Sequence, residues 1–373
     1  MYSIRALGMG RKGCPRFVRF FNDRGEAMFF RSVVHGRPQP WRQEKQVPPN
    51  PTQLKWQWEP EHIPTAEEYE MFPEVVTLFG GDTNPLQKYV IDELAKTPEV
   101  STVRVGTLFP DEFAANLPAA WLDKVVAEYV DITDQHSVLA ASEGSQALVN
   151  MFDIPYEVEL SFYDAHVGAS KIISHAANTV FASRVIQVSS LASRVDSWSR
   201  YSESKFRGED IALACFPWTT IMRFGPLFGK DSASIEQFKQ YMTYAPFYPC
   251  PASKTQIQPT FAGDAAKAIV AALGNPHTRE LQYDLGGPQT YSHAELVKEV
   301  MKLKKCSRPV IPVPAAVGDA IVAGLQWLPD PLVTRDMVYL IRSHNVTNHE
   351  LMRSWKDLMP SHQLKTLEEA IDL

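Results

Sequence analysis

Residues 75–96 read VVTLFGGDTNPLQKYVIDELAK, a β-branched run, a glycine pair and a helical stretch in direct succession. A strand that turns through glycines into a helix is the first unit of a dinucleotide-binding α/β fold, whose helix N-terminus faces the pyrophosphate. Aligning the helix places Gly81, Asn84 and Gln87 at the three glycine positions of that unit. Only the first of the three is still a glycine.

This turn predicts a sound helix start and a weakened phosphate site. Asn84 can cap a helix, and Pro85 suits its first position. Pro85 also removes an N–H from the end that would hold phosphate, and Gln87 adds bulk where a glycine allows close packing. The residues of this turn that would meet a dinucleotide are Gly81, Thr83, Asn84 and Leu86.

From Pro73 onward, short β-branched runs alternate with helical segments, which is typical of a doubly wound parallel sheet. The predicted fold class is therefore α/β, with a Rossmann-type domain at residues 71–230. A smaller, mixed C-terminal subdomain is predicted at residues 231–373, with part of its chain returning to the sheet. The six predicted strands are Val75 to Phe79, Thr102 to Val105, Val126 to Val130, Ala147 to Met151, Val185 to Ser189 and Thr219 to Arg223.

The ends of the second and third strands bear on the adenosine half of a dinucleotide. Thr107, Leu108 and Phe109 offer neither an acid for a ribose hydroxyl nor an arginine for a 2′-phosphate. Asp131 follows the third strand and could flank an adenine, although an aspartate capping the next turn explains it equally well.

Tyr201 and Lys205 stand four residues apart in YSESK, so they share one helix face. There the ammonium can favour the phenolate form of the tyrosine, and the phenol can donate a proton to a carbonyl oxygen. Ser189, at the end of the preceding strand, would supply a hydroxyl that orients the carbonyl. Their position at the carboxyl edge of the sheet favours a catalytic set over a solvent-facing helical contact.

Composition excludes several classes of protein. The 373 residues are 45% hydrophobic and 21% charged with a net charge of −6, which indicates a folded chain without a general affinity for nucleic acid. Four dispersed cysteines exclude a disulfide scaffold and favour a reducing compartment. The ten histidines form no metal-binding spacing, so no metal is predicted.

Residues 1–70 are predicted to form an arm, basic at first and then extended and rich in proline and tryptophan. Its first 22 residues hold arginine and lysine but no acid, which resembles a mitochondrial import sequence; the alternative is a basic arm on an acidic partner. The Pro/Trp stretch at residues 36–64 is predicted to lie against a surface, either its own or a partner's. Near the other end of the chain, residues 315–327 could lie in a membrane interface or pack on their own domain.

The chain resembles the extended short-chain dehydrogenase/reductase superfamily from Val75 to about Pro288. Within it, the chain is similar to the nucleotide-binding accessory subunits of mitochondrial respiratory complex I. The superfamily resemblance rests on Ser189 with Tyr201 and Lys205, Asp164 to Gly168, Arg223 to Gly229, and Gln258 to Phe261 with Asp264. The similarity to the complex I subunits rests on Ser199 to Glu209, Phe216-Pro217, Gln258-Pro259 with Asp264, and Val333 to Asp336.

The resemblance implies a protein on the matrix side of the mitochondrial inner membrane, held in the peripheral arm near the membrane junction. Its implied partners are other complex I subunits, and lipid contact is part of the same expectation. The implied cofactor is NADP(H), bound but not turned over, through the turn residues given above and Asp131, Tyr201 and Lys205. Because the chain departs from the pattern at Asn84, Pro85, Gln87 and Leu108, we expect the nucleotide to be weakened or lost.

Three functions remain open at this point. The first is a non-catalytic accessory subunit that supports assembly, in which Ser189, Tyr201 and Lys205 are vestigial. The second is an active NADP(H)-dependent short-chain reductase or epimerase. The third is a redox-sensing regulator that binds NADPH.

Overall fold

The computed structural model describes residues 17–21, 27–31, 70–80, 85–154, 156–157, 160–229, 246–314, 318–319, 334–348 and 352–371. The chain divides into two units, residues 1–57 and 58–373. In the first unit, strands β1 (Phe17–Phe21) and β2 (Ala27–Arg31) pair antiparallel as a hairpin. Their aromatic content favours strands, so the end of the basic stretch is extended.

Some predictions fall outside the described residues. They concern the basic residues before Phe17, the Pro/Trp stretch at 36–64, three turn residues and most of residues 315–327. The three turn residues are Gly81, Thr83 and Asn84.

The second unit alternates strands and helices. Its strands are β3 (Val75–Phe79), β4 (Thr102–Thr107), β5 (Val125–Tyr129), β6 (Ala147–Asn150), β7 (Arg184–Ser190), β8 (Thr219–Phe224), β9 (Leu227–Phe228), β10 (Tyr248–Cys250), β11 (Gln256–Ile257), β12 (Thr260–Phe261), β13 (Gln282–Leu285), β14 (Tyr291–Ser292) and β15 (Val310–Pro312). Its α-helices are α1 (Pro85–Lys96), α2 (Pro110–Ala115), α3 (Gln135–Ser142), α4 (Ala169–Thr179), α5 (Arg200–Cys215), α6 (Ala262–Gly274), α7 (His293–Leu303), α8 (Arg335–Arg342), α9 (Trp355–Leu358) and α10 (Leu367–Ile371). Short 3₁₀ turns occupy Ala119–Trp121 and Pro276–Thr278, and a π-helical turn, Tyr163–Gly168, leads into α4.

Seven strands form one parallel sheet in the order β13-β8-β7-β6-β3-β4-β5. The strand order reverses direction between β3 and β6, so this is the switch point at which such sheets bind ligands. Strand β13 closes one edge, next to β8, and comes from the C-terminal part of the chain. Strand β5 forms the other edge.

Helices cover both faces of this sheet. On one face α1 packs against α6, and the buried side chains there include Leu86, Ile91 and Ile269. On the other face α3 and α4 pack side by side over Val138 and Ile173, with α5 beside α4. Strand β6 is buried along its whole length because it lies in the middle of the sheet.

All six predicted strands are present, which confirms the predicted α/β Rossmann-type fold. Their ends differ from the predictions by at most two residues. The second strand runs on to Thr107 and the third starts at Val125, because the ladder between them pairs Val103 with Val125 and Thr107 with Tyr129. Backbone pairing thus continues beyond the β-branched run that predicted the strand.

The C-terminal part adds three small two-stranded sheets, β9 with β12, β11 with β14, and β10 with β15. Helix α7 begins with a capping box in which Ser292 and Glu295 exchange side-chain and backbone hydrogen bonds. Across the described ranges, every helix is too short or too polar to traverse a bilayer.

Candidate functional site

The candidate site lies at the carboxyl edge of the sheet, where β6, β7 and α5 meet. The chain leaves β6 at Asn150 and reaches Asp153 three residues later. Helix α5 begins after Ser199, whose hydroxyl caps it by accepting the N–H of Ser202 at 3.3 Å. Tyr201 and Lys205 therefore occupy the first two turns of α5, close to the end of β6.

The structure brings Tyr201 and Lys205 together on one carboxylate. The Tyr201 hydroxyl donates to Asp153 Oδ2 at 2.9 Å, and Lys205 Nζ lies 3.1 Å from Asp153 Oδ1. The Lys205 ammonium is 5.7 Å from the centroid of the Tyr201 ring. The Lys205 side chain is 6% exposed, so its charge is compensated inside the protein rather than by water.

The charges around Asp153 set the protonation states of the whole group. Burial opposes ionisation, but the Lys205 ammonium and the His166 hydrogen bond outweigh it and hold the pKa of Asp153 well below its usual range. Burial and then the Asp153 carboxylate raise the pKa of Tyr201 well above its usual value. The expectation that Lys205 favours the phenolate form of Tyr201 is therefore wrong here. The Tyr201 hydroxyl donates a hydrogen bond to the Asp153 carboxylate, and the same carboxylate forms the ion pair with Lys205.

His166 completes the group from the π-helical turn. Its Nε2 lies 3.0 Å from Asp153 Oδ1 and its Nδ1 lies 2.8 Å from the Ser204 hydroxyl. Burial and then the charge on Lys205 lower the pKa of His166 to about 4, so the imidazole is neutral at pH 7. A neutral imidazole beside a carboxylate carries its proton on the nitrogen that faces it, here Nε2.

The order Ser204, His166, Asp153 resembles a hydrolytic triad, but it lacks the access that a nucleophile needs. Ser204 is 6% exposed, and its single hydroxyl proton faces two acceptors, His166 Nδ1 at 2.8 Å and the Tyr201 carbonyl oxygen at 2.9 Å. The exposed member is Asp153, whose side chain keeps 40% of its surface accessible. A substrate would therefore reach the carboxylate before the hydroxyl, so we interpret the three residues as a structural hydrogen-bond chain.

Gly208 is the reason that α5 approaches the π-helical turn so closely. A Cβ at this position would lie 2.7 Å from the His166 carbonyl oxygen, which is a backbone atom that cannot move aside. The close helix contact holds His166 between Phe162, whose ring stacks on it at 5.8 Å, and Tyr201.

Ser189 is not directed at Tyr201. Its hydroxyl donates to Glu209 at 2.5 Å, and Glu209 forms a two-pronged pair with Arg223 at 2.9 and 2.5 Å. Glu209 is 2% exposed, and its carboxylate lies 2.5 Å from the Arg223 guanidinium inside the protein. The predicted role of Ser189 in orienting a carbonyl is therefore not supported by this geometry, since its hydroxyl proton is already engaged.

Asp336 approaches the same helix from the C-terminal part of the chain. Its carboxylate accepts the backbone N–H of Arg200 at 2.5 Å, that of Tyr201 at 3.3 Å and the Ser199 hydroxyl at 2.8 Å. A carboxylate at a helix N-terminus satisfies unpaired N–H groups and interacts favourably with the helix dipole. Tyr201 thus lies between two carboxylates, Asp153 and Asp336.

We expect Asp336→Ala to lower the free energy of unfolding by about 1 kcal/mol, because α5 loses an acceptor at its N-terminus. Urea unfolding measures this change. Asp336→Asn is the matched control: it keeps an acceptor without the charge and should lose only part of that stability. Equal losses of stability in the two variants would show that the hydrogen bonds accepted from the backbone N–H groups of α5 contribute nothing.

The first turn of the fold is described from Pro85 onward. Leu86 is fully buried in the core and Gln87 is 3% exposed. The Gln87 side chain lies against Gly80, since a Cβ added to Gly80 would be 2.1 Å from Gln87 Oε1. Among the described residues this Oε1 has no hydrogen-bond partner. The side chain at the third glycine position therefore fills the space above the end of β3.

At the ends of β4 and β5 the structure shows apolar and acidic side chains. Leu108 is 48% exposed and Phe109 is 60% exposed. Asp131 accepts the N–H and the hydroxyl of Thr133 at 2.9 and 2.6 Å, so its carboxylate caps the turn that follows. Whether Asp131 also meets an adenine stays a prediction.

No group of three metal-ligating side chains occurs in the described part of the chain. Cys250 and His293 form one pair of such side chains, with Cys250 Sγ 3.4 Å from His293 Nδ1. Burial raises the pKa of the Cys250 thiol and lowers that of His293, so both are neutral and the contact is a hydrogen bond in the interior.

Sequence reasoning missed Asp153 and the role of Asp336. Asp153 is 48 residues from Tyr201 and 52 from Lys205 along the chain, so no local spacing connects them. The available signal was its place just beyond a central strand, at the edge where the Tyr-x-x-x-Lys pair was also predicted.

No family model matches the chain. It is 29% identical over 306 residues to the Arabidopsis thaliana protein named NADH dehydrogenase (ubiquinone) 1 alpha subcomplex subunit 9, mitochondrial, covering 78% of this chain and 75% of the relative. It is 26% identical over 282 residues to the Rattus norvegicus protein of the same name, covering 74% of each. The resemblance inferred from the sequence motifs is therefore confirmed by homologues in distant species.

Solved structures share the fold at low sequence identity. A nucleoside-diphosphate-sugar epimerase from Staphylococcus aureus has a TM-score of 0.61 and 16% identity, over 80% of this chain and 99% of that one. An NADPH-dependent quinone oxidoreductase from Escherichia coli, complexed with NADPH, has a TM-score of 0.60 and 16% identity, over 80% and 98%. The chain therefore has the Rossmann-type fold of NAD(P)-binding epimerases and reductases.

Proposed function

We propose that this chain is a non-catalytic accessory subunit of mitochondrial respiratory complex I, in which a reductase fold supports assembly or stability of the peripheral arm. The homologues, which are named as subunits of mitochondrial NADH dehydrogenase, support the assembly and the compartment. We place the chain on the matrix side of the inner membrane, near the membrane junction, with other complex I subunits as its partners. Lipid contact is part of the same proposal.

The observation that carries the proposal is the Asp153 carboxylate between Tyr201 and Lys205. A tyrosine that acts as a general acid must present its proton to the substrate, and its pKa must be low enough for the proton to leave. Here the Tyr201 hydroxyl donates its hydrogen bond to Asp153, and burial and that carboxylate raise the pKa of Tyr201. With Ser189 bonded to Glu209, the hydroxyl and the phenol both face inward, to partners within the protein.

We further propose that the binding of NADP(H) is weakened or lost, because the residues at the site fit this cofactor poorly. Gln87 fills the space above Gly80 that close approach to a pyrophosphate requires. The Lys205 ammonium, 5.7 Å from the centroid of the Tyr201 ring, is paired with the Asp153 carboxylate. At the adenosine end, Leu108 provides no charge for a ribose or a 2′-phosphate.

The test combines nucleotide binding, turnover and assembly. We expect the purified chain to give no NADPH fluorescence enhancement at millimolar ligand and to oxidise no NADPH with ketone or sugar substrates. In mitochondria, the chain should co-purify with NADH:ubiquinone oxidoreductase, and Tyr201→Phe should leave the amount of assembled complex and its electron transfer unchanged.

Tyr201→Phe also serves as the control, since it removes the phenol proton and keeps the ring that packs on His166. NADPH oxidation that Tyr201→Phe abolishes would overturn the non-catalytic assignment. A chain that never migrates with the respiratory complex would overturn the assignment to an accessory subunit.

A further inference from the structure

The outer edge of the sheet is unusually apolar for a solvent-facing surface. Five of the eleven exposed large hydrophobic side chains among the described residues lie between residues 108 and 129. They are Leu108 (48% exposed), Phe109 (60%), Leu122 (59%), Val126 (44%) and Tyr129 (57%). Because β5 pairs with β4 and α2 packs on β5, these residues lie on or next to the last strands at this edge of the sheet. Val126 and Tyr129, three residues apart on β5, flank the edge from opposite faces of the sheet. We call the five residues the β5 edge surface. Clustered exposed apolar side chains of this kind mark an interaction site.

The backbone of β5 presents hydrogen-bonding groups along the same edge. Among the described residues β5 pairs only with β4, through contacts such as Val103 N–H to the Lys124 carbonyl and Val130 N–H to the Thr107 carbonyl. In a parallel pair, alternate residues of a strand bond to the same neighbour. The N–H and C=O groups of Val125, Ala127 and Tyr129 therefore point away from β4. Such an edge accepts a further strand.

Charge decides which partner fits. Residues 107–137 contain one cation, Lys124, whose ammonium donates to the Thr97 carbonyl at 2.9 Å. The same segment contains six carboxylates: Asp111, Glu112, Asp123, Glu128, Asp131 and Asp134. This excess of negative charge repels phosphate, anionic lipid headgroups and the same edge of a second copy of the chain.

We propose that the β5 edge surface docks an extended, basic and apolar segment of a partner polypeptide, which adds to the sheet as an eighth strand. The outward backbone groups of β5 supply the hydrogen bonds, the exposed apolar side chains supply burial, and the carboxylates attract the basic residues. This goes beyond the proposed function, which states only that the chain works within an assembly.

The first test uses the purified full chain and two synthetic peptides, KVKVKVK and EVEVEVE, with binding followed by fluorescence anisotropy. We expect the basic peptide to bind and the acidic peptide not to bind. Ala127→Pro removes an outward N–H without touching the bonds to β4, so it should weaken binding up to about tenfold. Ala127→Val keeps that N–H and is the matched control. Glu128→Lys, which leaves the strand backbone intact, should also weaken binding.

Three results of this test would overturn the inference. They are no binding of the basic peptide, equal binding of both peptides, and equal affinity in the proline and valine variants with their folds intact. If Ala127→Pro fails to fold, the Glu128→Lys variant is the deciding test of the inference. An unchanged affinity of this variant for the basic peptide would contradict the role of charge.

The second test places a photo-crosslinking residue at position 129 in the full chain within mitochondria. We expect adducts with one polypeptide, and none from the same group at Lys298, an exposed residue of α7. Lipid adducts alone, or an absence of adducts from an assembled chain, would overturn the inference. If the chain joins no complex, the proposed function fails while the peptide test still decides this inference.

Discussion

Replacing Asp153 with alanine is expected to lower the free energy of unfolding by about 2–3 kcal/mol. The substitution leaves the Lys205 ammonium buried without its counter-ion and removes the acceptor used by Tyr201 and His166. Removing one partner of a fully buried pair costs about 3–5 kcal/mol. We expect less because 40% of the Asp153 side chain is exposed, and water screens that end of the pair.

Urea unfolding at neutral pH measures the loss, and Lys205→Met provides the comparison. In a double-mutant cycle, Asp153→Ala combined with Lys205→Met should be less destabilising than the sum of the two single changes, because the uncompensated ammonium is gone. Asp196→Ala, an exposed aspartate in the loop before α5, is the control and should change stability little. Strict additivity in the cycle would show that Asp153 does not act through Lys205.

The pH dependence of this contribution follows from the direction of the shift. The pKa of Asp153 is lowered in the folded protein. Its contribution is therefore complete above the unfolded pKa of about 4 and is lost as the pH falls further. The difference between wild type and Asp153→Ala should accordingly be constant near neutrality and shrink in acid.

His166 is expected to make the protein lose about 3 kcal/mol of stability as the pH falls from 7 to 4. Its pKa is lowered from 6.5 to about 4 in the folded state by burial and by Lys205. Between these two values the unfolded chain binds a proton that the folded chain does not, so stability rises with pH throughout that window.

Urea unfolding at several pH values between 4 and 7 measures this effect. His166→Asn is the informative variant, since it removes the titrating ring and keeps a polar side chain. The buried His175 and His293 also have lowered pKa values and contribute to the wild-type slope, so the difference between the two proteins isolates His166. Parallel stability curves for wild type and His166→Asn would contradict the prediction.

The sheet could be predicted from the sequence because each of its strands is indicated by a short run of its own residues. A β-branched run such as Val75 to Phe79 is buried wherever it pairs, so composition alone indicates a central strand. Strand ends were less predictable, because Thr107 is strand only through its pairing with Tyr129.

The candidate site was predictable only in part. The spacing of Tyr201 and Lys205 on one helix face follows from helical geometry. The partner that determines their chemistry, Asp153, is set by tertiary packing, and so is the turn of Ser189 toward Glu209. Sequence motifs thus identified the residues of a reductase and could not show that their protons and charges are satisfied internally.

The Asp336 carboxylate has a consequence for biogenesis. The helix that carries Tyr201 is capped by a residue 135 positions further along the chain. Segments emerging from a ribosome in N-to-C order would leave the backbone N–H groups of Arg200 and Tyr201 without this acceptor until Asp336 arrives, with Ser199 as the local cap. A message truncated by a premature stop before codon 336 would yield a product that keeps the Ser199 cap and lacks the three hydrogen bonds to Asp336.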